Sequence, residues 1–149
     1  MHHQVNPDHF SRLINLFATA PVQQIFAGSS MQLEKGVCRI QYPVSPSLFH
    51  GAGALHGSAY FKLLDDAAYF AAATTSPTYF LLTAKFDIKL LRPVHEGLLT
   101  AVGNLENVTE RLLMASARLL NGAGQPVATG TGQFAFSTTR WENLDGYRS

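Results

Sequence analysis

Leu55-His56-Gly57-Ser58-Ala59-Tyr60-Phe61-Lys62-Leu63-Leu64-Asp65-Asp66-Ala67-Ala68-Tyr69-Phe70-Ala71-Ala72-Ala73 is the stretch on which the reading of this chain turns. At 3.6 residues per turn, Tyr60, Leu63, Leu64, Ala67 and Ala71 fall on one stripe, and Ala59 and Phe70 widen it. The pattern predicts a helix over about 57–73 that is apolar nearly all round, and such a helix belongs at the centre of a fold. Polar residues on it therefore need reasons. Lys62 and Asp66 stand four apart and predict an ion pair at the helix surface, contributing ~0.3 kcal/mol and carrying no function. Asp65 differs. Its neighbours by helical angle are Phe61, Ala72, Ser58, Tyr69 and Ala68, with only Lys62 at the edge to offset its charge. A carboxylate in that company has a raised pKa, which suits a general base or a nucleophile kept from water; the other reading is a carboxylate that pairs across a subunit interface.

Upstream of Asp65, His56 and Gly57 stand at the predicted helix N-terminus, where free N–H groups and the positive dipole end suit a developing oxyanion. Gly57, lacking a Cβ, lets a carbonyl approach its N–H; equally, it eases a tight turn into the helix. His50 and His56 flank a glycine-containing loop, but their six-residue spacing matches no recognised metal-ligand motif, so neither metal nor cofactor is expected. Ser47 and Ser58 do not sit in a Gly-x-Ser-x-Gly elbow, which argues against a serine hydrolase. Cys38 falls in a predicted strand and reads as a small core residue.

Asn6-Pro7-Asp8 predicts the start of an N-terminal helix over about 7–20, with Phe10, Leu13, Ile14 and Phe17 as its apolar stripe and Pro21 as its stop. From Ser29 to Val44 the pattern is a hairpin that turns at Glu34-Lys35-Gly36. A Pro-, Ser- and Gly-rich loop follows, and beyond the central helix come strands at Tyr79–Leu91, Leu98–Val108, Arg111–Asn121 and Val127–Ser137. In the first of these, Phe86, Ile88 and Leu90 alternate with Lys85, Asp87 and Lys89, leaving one apolar face and one face for water or a subunit. The whole predicts one α+β domain over 1–149, with an antiparallel sheet of about six strands around one long helix.

Hydrophobic residues make up 46% of the chain and charged residues 14%, too apolar for disorder and too thinly charged to cover a monomer. The expectation is a homo-oligomer that hides apolar surface. A net charge of +1 with no basic run excludes a nucleic-acid partner, and a single cysteine excludes an internal disulfide. The polar start of the chain and the lack of an apolar run near ~20 residues argue against a signal peptide and a membrane span, so the expected location is cytoplasmic.

From about Ser29 to Ser137 the order of elements and these residues together resemble the hot-dog fold thioesterases, specifically the phenylacetate-degradation type of acyl-CoA thioesterase. That family carries His-Gly-Gly at the start of its central helix and an acidic residue nine positions after the His. Here His56-Gly57-Ser58 is followed by Asp65 at that distance, which selects Asp65 over Asp66. Leu90-Leu91-Arg92-Pro93, Gly97-Leu98-Leu99-Thr100-Ala101 and Val127-Ala128-Thr129-Gly130-Thr131-Gly132 resemble its later strands. The resemblance implies hydrolysis of an acyl-CoA or related acyl thioester, with Asp65 as base or nucleophile and the Gly57 N–H polarising the thioester carbonyl. It implies that the residue six before the motif His orients water, a position held here by His50 in place of an amide. It also implies a hydroxyl on the strand after the helix, here Thr83, that reaches the site from the neighbouring subunit. Ser58 replaces the family's second Gly. A homodimer or homotetramer with sites at the interface is implied as well. The alternative in another functional class is a non-catalytic acyl-thioester binding or sensing protein of the same fold, motivated by His50 and Ser58.

Overall fold

The nearly all-apolar segment forms the helix α2 (Gly57–Ala73), and its stripe residues Tyr60, Leu63, Leu64, Ala67 and Ala71 are all buried. The fold around it comes from a computed structural model that describes residues 7–148. Before α2 come the helix α1 (His9–Thr19), a 3₁₀ segment (Pro21–Phe26) and the strands β1 (Ser30–Glu34) and β2 (Val37–Pro43). After it come β3 (Tyr79–Leu90), β4 (Leu98–Val108), β5 (Leu112–Leu120), β6 (Pro126–Arg140) and a short helix α3 (Asp145–Arg148). The strands form one six-stranded sheet in the order β1-β2-β4-β5-β6-β3, each neighbouring pair antiparallel. This is the α+β hot-dog architecture expected from the sequence: a sheet wrapped around one helix, with an added N-terminal helix.

Strand alternation places the sheet's inner face against α2. Cys38, Ile40 and Tyr42 on β2 and Leu113, Ala115, Ala117 and Leu119 on β5 are buried, while Arg39, Gln41, Met114 and Arg118 face outward. The closest approach is at Gly103 on β4, where a Cβ would stand 2.0 Å from the Ala67 carbonyl oxygen and 2.8 Å from the Ala68 nitrogen. Only the absence of a side chain lets the strand lie directly on the helix backbone.

Two expectations need correction. The first helix starts at His9, after Asp8, rather than at residue 7, because Pro7 and Asp8 form a turn; Asn6 lies outside the described residues. Lys62 and Asp66 do pair, Nζ to Oδ2 at 2.7 Å, but not at the surface. The 3₁₀ segment after Pro21 folds back over α2, so that Lys62 Nζ lies 5.1 Å from the centre of the Phe17 ring and 4.6 Å from that of Phe26, and donates to Gln23 Oε1. The pair thus pins the N-terminal segment to the central helix.

The far end of α2 is closed by both chain ends. The fully buried His9 donates from Nε2 to the Ala73 carbonyl at 2.9 Å, which leaves Nδ1 to accept from the Tyr147 hydroxyl at 2.8 Å. Trp141 Nε1 donates to the Ser76 carbonyl at 2.8 Å. The sequence reading assigned no structure after Ser137, and these bonds show what orders that tail.

β3 stands at one edge of the sheet, bonded to β6 on one side only. Tyr79, Leu82, Ile88, Leu90 and, just beyond, Leu91 are exposed along it. Among the described residues, no helix is long and apolar enough to cross a membrane.

Candidate active site

Asp65 sits in the middle of α2, half-buried where the helix faces β3 and the 3₁₀ segment. Its Oδ1 accepts a hydrogen bond from the Thr83 hydroxyl at 3.0 Å. Burial lifts the Asp65 carboxyl to about 6; the Thr83 bond opposes the rise, the neighbouring Asp66 charge adds to it, and Lys62 opposes it. Asp66 is also raised by burial, but there the Lys62 ammonium is in direct contact and pulls the other way. The two adjacent carboxylates therefore differ as the sequence predicted: Asp66 is committed to a cation, and Asp65 is not.

Thr83 reaches Asp65 because of a bulge. Leu81 and Thr83 pair with Phe136 and Phe134, whereas Phe86, Ile88 and Leu90 pair with Gly132, Gly130 and Ala128. The register shift between Thr83 and Lys85 inserts one residue, so the inward face changes from odd-numbered to even-numbered positions. The resemblance implied that this hydroxyl comes from the neighbouring subunit. Here it bonds the Asp65 of its own chain, since both face the same gap between α2 and the sheet edge.

At the other end of the helix, His56 is the N-cap, and its Nδ1 accepts from the Ser58 N–H at 3.0 Å and lies 2.8 Å from Ser58 Oγ. His56 and Ser58 thus complete the helix start. Gly57 is the first helical residue, and its N–H donates to no acceptor among the described residues, as expected of a first-turn amide. His50 closes a tight loop: its Nδ1 accepts from the Ala52 N–H at 3.0 Å, and its own N–H donates to the Ala54 carbonyl at 2.9 Å. Because a backbone N–H only donates, the neutral ring carries its proton on Nε2.

The five candidate residues therefore fall into two groups. His50 and Gly57 line a cavity of ≈ 340 Å³ with Tyr60, Leu90 and Arg92, and His56 caps the helix at its rim. Asp65 and Thr83 line a second cavity of ≈ 320 Å³. Gly57 and Asp65 are eight residues apart on one helix, which puts them ~12 Å apart along its axis at 1.5 Å per residue. No single thioester carbonyl spans that distance. Among the described residues, no group of three or more His, Cys, Asp or Glu is gathered as a metal site would need.

Sequence reasoning missed the wall of the second cavity. Leu16, Val22 and Gln23, on α1 and the segment after it, reach over α2 beside Asp65. The apolar Val22 and Ile25 after Pro21 were the available signal, since both remain exposed in a short segment with no strand pattern.

Comparison with known proteins accords with this fold. The PaaI protein of E. coli, from the phenylacetic acid degradation operon, superposes with a TM-score of 0.79 over 92% of this chain and 99% of its own, at 18% identity. A conserved protein of Pseudomonas aeruginosa gives 0.74 over 79% of this chain and 94% of its own, at 25% identity. A phenylacetic acid degradation-related protein of Ralstonia eutropha JMP134 gives 0.74 over 85% and 98%, at 23% identity. A curated protein of Saccharolobus solfataricus that bears an esterase name is 29% identical over 91 residues, and the match spans 61% of each chain. The sequence profile of the thioesterase superfamily matches residues 52–128, more than half of the chain, from the loop before α2 into the last strand. With the hot-dog sheet, the central helix and the spacing of His56, Gly57 and Asp65, this match places the chain in the thioesterase superfamily.

Proposed function

We propose that the protein hydrolyses an acyl-CoA or a related acyl thioester, at a site that two copies of the chain complete together. The observation that carries this reading is the ~12 Å rise along one helix between Gly57, whose N–H is unpaired among the described residues, and Asp65, whose carboxyl is raised. Each chain holds half of a hydrolytic site at either end of that span. The free edge of β3 supplies a way to join them. Leu90 lies against Gly57, 3.5 Å from where its Cβ would be, and Thr83 lies against Asp65. Antiparallel pairing of β3 with β3 of a second copy, centred on Asp87 and with the bulge after Thr83 taking up one residue, sets Thr83 of one copy opposite Leu90 of the other and keeps inward-facing residues opposite one another. It thereby brings the Asp65 half of one chain to the Gly57 half of the next. It also covers part of the apolar edge that a monomer leaves in water.

In that site the Gly57 N–H donates to the thioester oxygen as it gains charge, and the helix dipole acts in the same sense. Asp65 of the second copy takes a proton from water as the water oxygen attacks the carbonyl carbon. The tetrahedral intermediate collapses with cleavage of the C–S bond, and the departing thiolate receives the proton from Asp65. Direct attack by Asp65 gives a mixed anhydride that water then opens, with the same groups in place. Thr83 is a positioning residue that holds Oδ1 and leaves Oδ2 to the reacting atoms. His50 offers an Nε2–H donor where the family carries an amide.

Subunit mixing tests the composite site. Gly57→Pro removes the N–H at a first helical position, where proline fits, and His56 already holds the extended backbone (φ −67°, ψ 144°) that must precede a proline. Asp65→Asn and Gly57→Pro chains are each expected to be inactive alone. After denaturation and co-refolding, the mixture regains about a quarter of parental CoA release, because half of random dimers are mixed and each carries one intact site. No recovery from two well-folded variants overturns the shared site, and turnover by Gly57→Pro alone overturns the oxyanion role.

The pH profile tests the base. kcat/KM rises with pH through about 6, because Asp65 acts only when ionised. His50→Asn is expected to keep that limb, since the amide replaces only a donor. Loss of the limb in His50→Asn transfers the titration from Asp65 to the imidazole.

A further inference from the structure

The cavity beside Asp65 has a mostly apolar wall and an aromatic floor. Tyr69 and Phe70 lie one turn further along α2, and Phe80 and Leu82 come from β3; Leu16 and Val22 flank the outer side. The aromatic floor is rigid. Tyr69 meets Phe70, Phe80 and Phe134 edge-on or tilted, with ring centres 5.1–6.0 Å apart, and its hydroxyl donates to the Leu81 carbonyl at 2.8 Å. The outer wall is also held in place. Phe17 is buried edge-on against Phe70, with ring centres at 5.8 Å, and the Lys62–Asp66 pair ties Gln23 to α2.

From this we infer that the cavity is the acyl pocket, and that α1 with the segment after it acts as a ruler that limits the acyl group to about ten non-hydrogen atoms. The size follows from ≈ 320 Å³ at about 30 Å³ per water-sized group. The chemical class follows from the lining: the charged groups, Asp65 and Asp66, lie at α2 with Thr83 and Gln23, and the remaining walls are aliphatic and aromatic. A neutral apolar acyl chain fits those walls, while a free carboxylate in the chain would face Asp65. This inference rests on Asp65 as the hydrolytic carboxylate, and it adds which acyl groups reach it.

Val22 is the position to test, because it lines the pocket and is 47% exposed, so its replacement disturbs no core. Parent, Val22→Trp and Val22→Ala are compared over straight-chain substrates from butyryl-CoA to palmitoyl-CoA. The parent is expected to prefer medium chains and to lose at least ~10-fold in kcat/KM at palmitoyl-CoA, the scale of misfit in an apolar pocket. Val22→Trp should move the optimum to shorter chains, with the octanoyl-to-butyryl ratio falling ~10-fold, and Val22→Ala should move it to longer ones. The same chain-length series of S-alkyl CoA thioethers, titrated calorimetrically, separates this inference from the hydrolase reading. Length-dependent binding that Val22→Trp shifts, without turnover of any thioester, upholds the pocket and removes the hydrolase. Turnover with one chain-length profile for all three proteins keeps the hydrolase and overturns the pocket. Absence of both binding and turnover overturns both.

Discussion

Asp65→Asn is expected to lower turnover of acyl-CoA substrates by at least ~10²-fold while fold and assembly persist, the scale of losing a general base. The amide keeps the size of the carboxyl and can still accept from Thr83, so the packing between α2 and β3 has no reason to change. The variant also carries a thermodynamic signature. In the native protein Asp65 titrates near 6, above its ordinary value of 3.8, so between those values the folded chain holds a proton that the unfolded chain has released. Stability therefore falls as pH rises through that window, and ionised Asp65 destabilises the fold above about 6. Asp65→Asn removes this cost: its melting temperature should exceed the parent's at pH 8, with the gap closing on acidification towards pH 4. Asp66→Asn is the contrast. It strips Lys62 of its carboxylate and loosens the N-terminal segment, so it should lower stability, by less than the ~3–5 kcal/mol of a fully buried pair, and leave most turnover intact. Equal losses of turnover in the two variants, or full activity in Asp65→Asn, defeat the assignment.

Gly103→Ala is expected to be the most damaging single-methyl change in the sheet. Its Cβ would meet the Ala67 carbonyl oxygen at 2.0 Å and the carbonyl carbon at 2.3 Å, and neither is the end of a flexible side chain. Relief requires β4 and α2 to separate, which opens the packing along the whole helix. The cost should exceed ~3 kcal/mol, the upper end of ordinary overpacking, with a fall in melting temperature on the order of 10 °C. Gly122→Ala is the control, since nothing lies within 4 Å of a Cβ there. A Gly103→Ala protein that melts with the parent shows that the sheet does not rest on the helix backbone at this point. Activity should fall with stability, because the same separation moves Asp65 away from Thr83.

Local patterning in the chain was enough to place the elements and the two chemical groups on the helix. The 3.6-residue apolar stripe from Tyr60 to Ala71 and the alternation of Phe86, Ile88 and Leu90 come from local backbone geometry, so period alone reads them. The pairing of Lys62 with Asp66 rather than Asp65 followed from their four-residue spacing, and the structure keeps it. The rest came from contacts between segments distant in the chain. The bulge after Thr83 reverses the strand's inward parity and turns that hydroxyl to Asp65, an event of sheet pairing that leaves no trace in alternation on either side. The fold-back after Pro21 buries the Lys62–Asp66 pair and builds the pocket wall from Val22, because residues such as Gln23 and Lys62, 39 apart in sequence, meet only when packing repays the entropy of bringing them together. The separation of Gly57 and Asp65 into two cavities has the same origin: spacing along one rigid helix sets their distance, and how the sheet edge closes around that helix sets which surface each one faces.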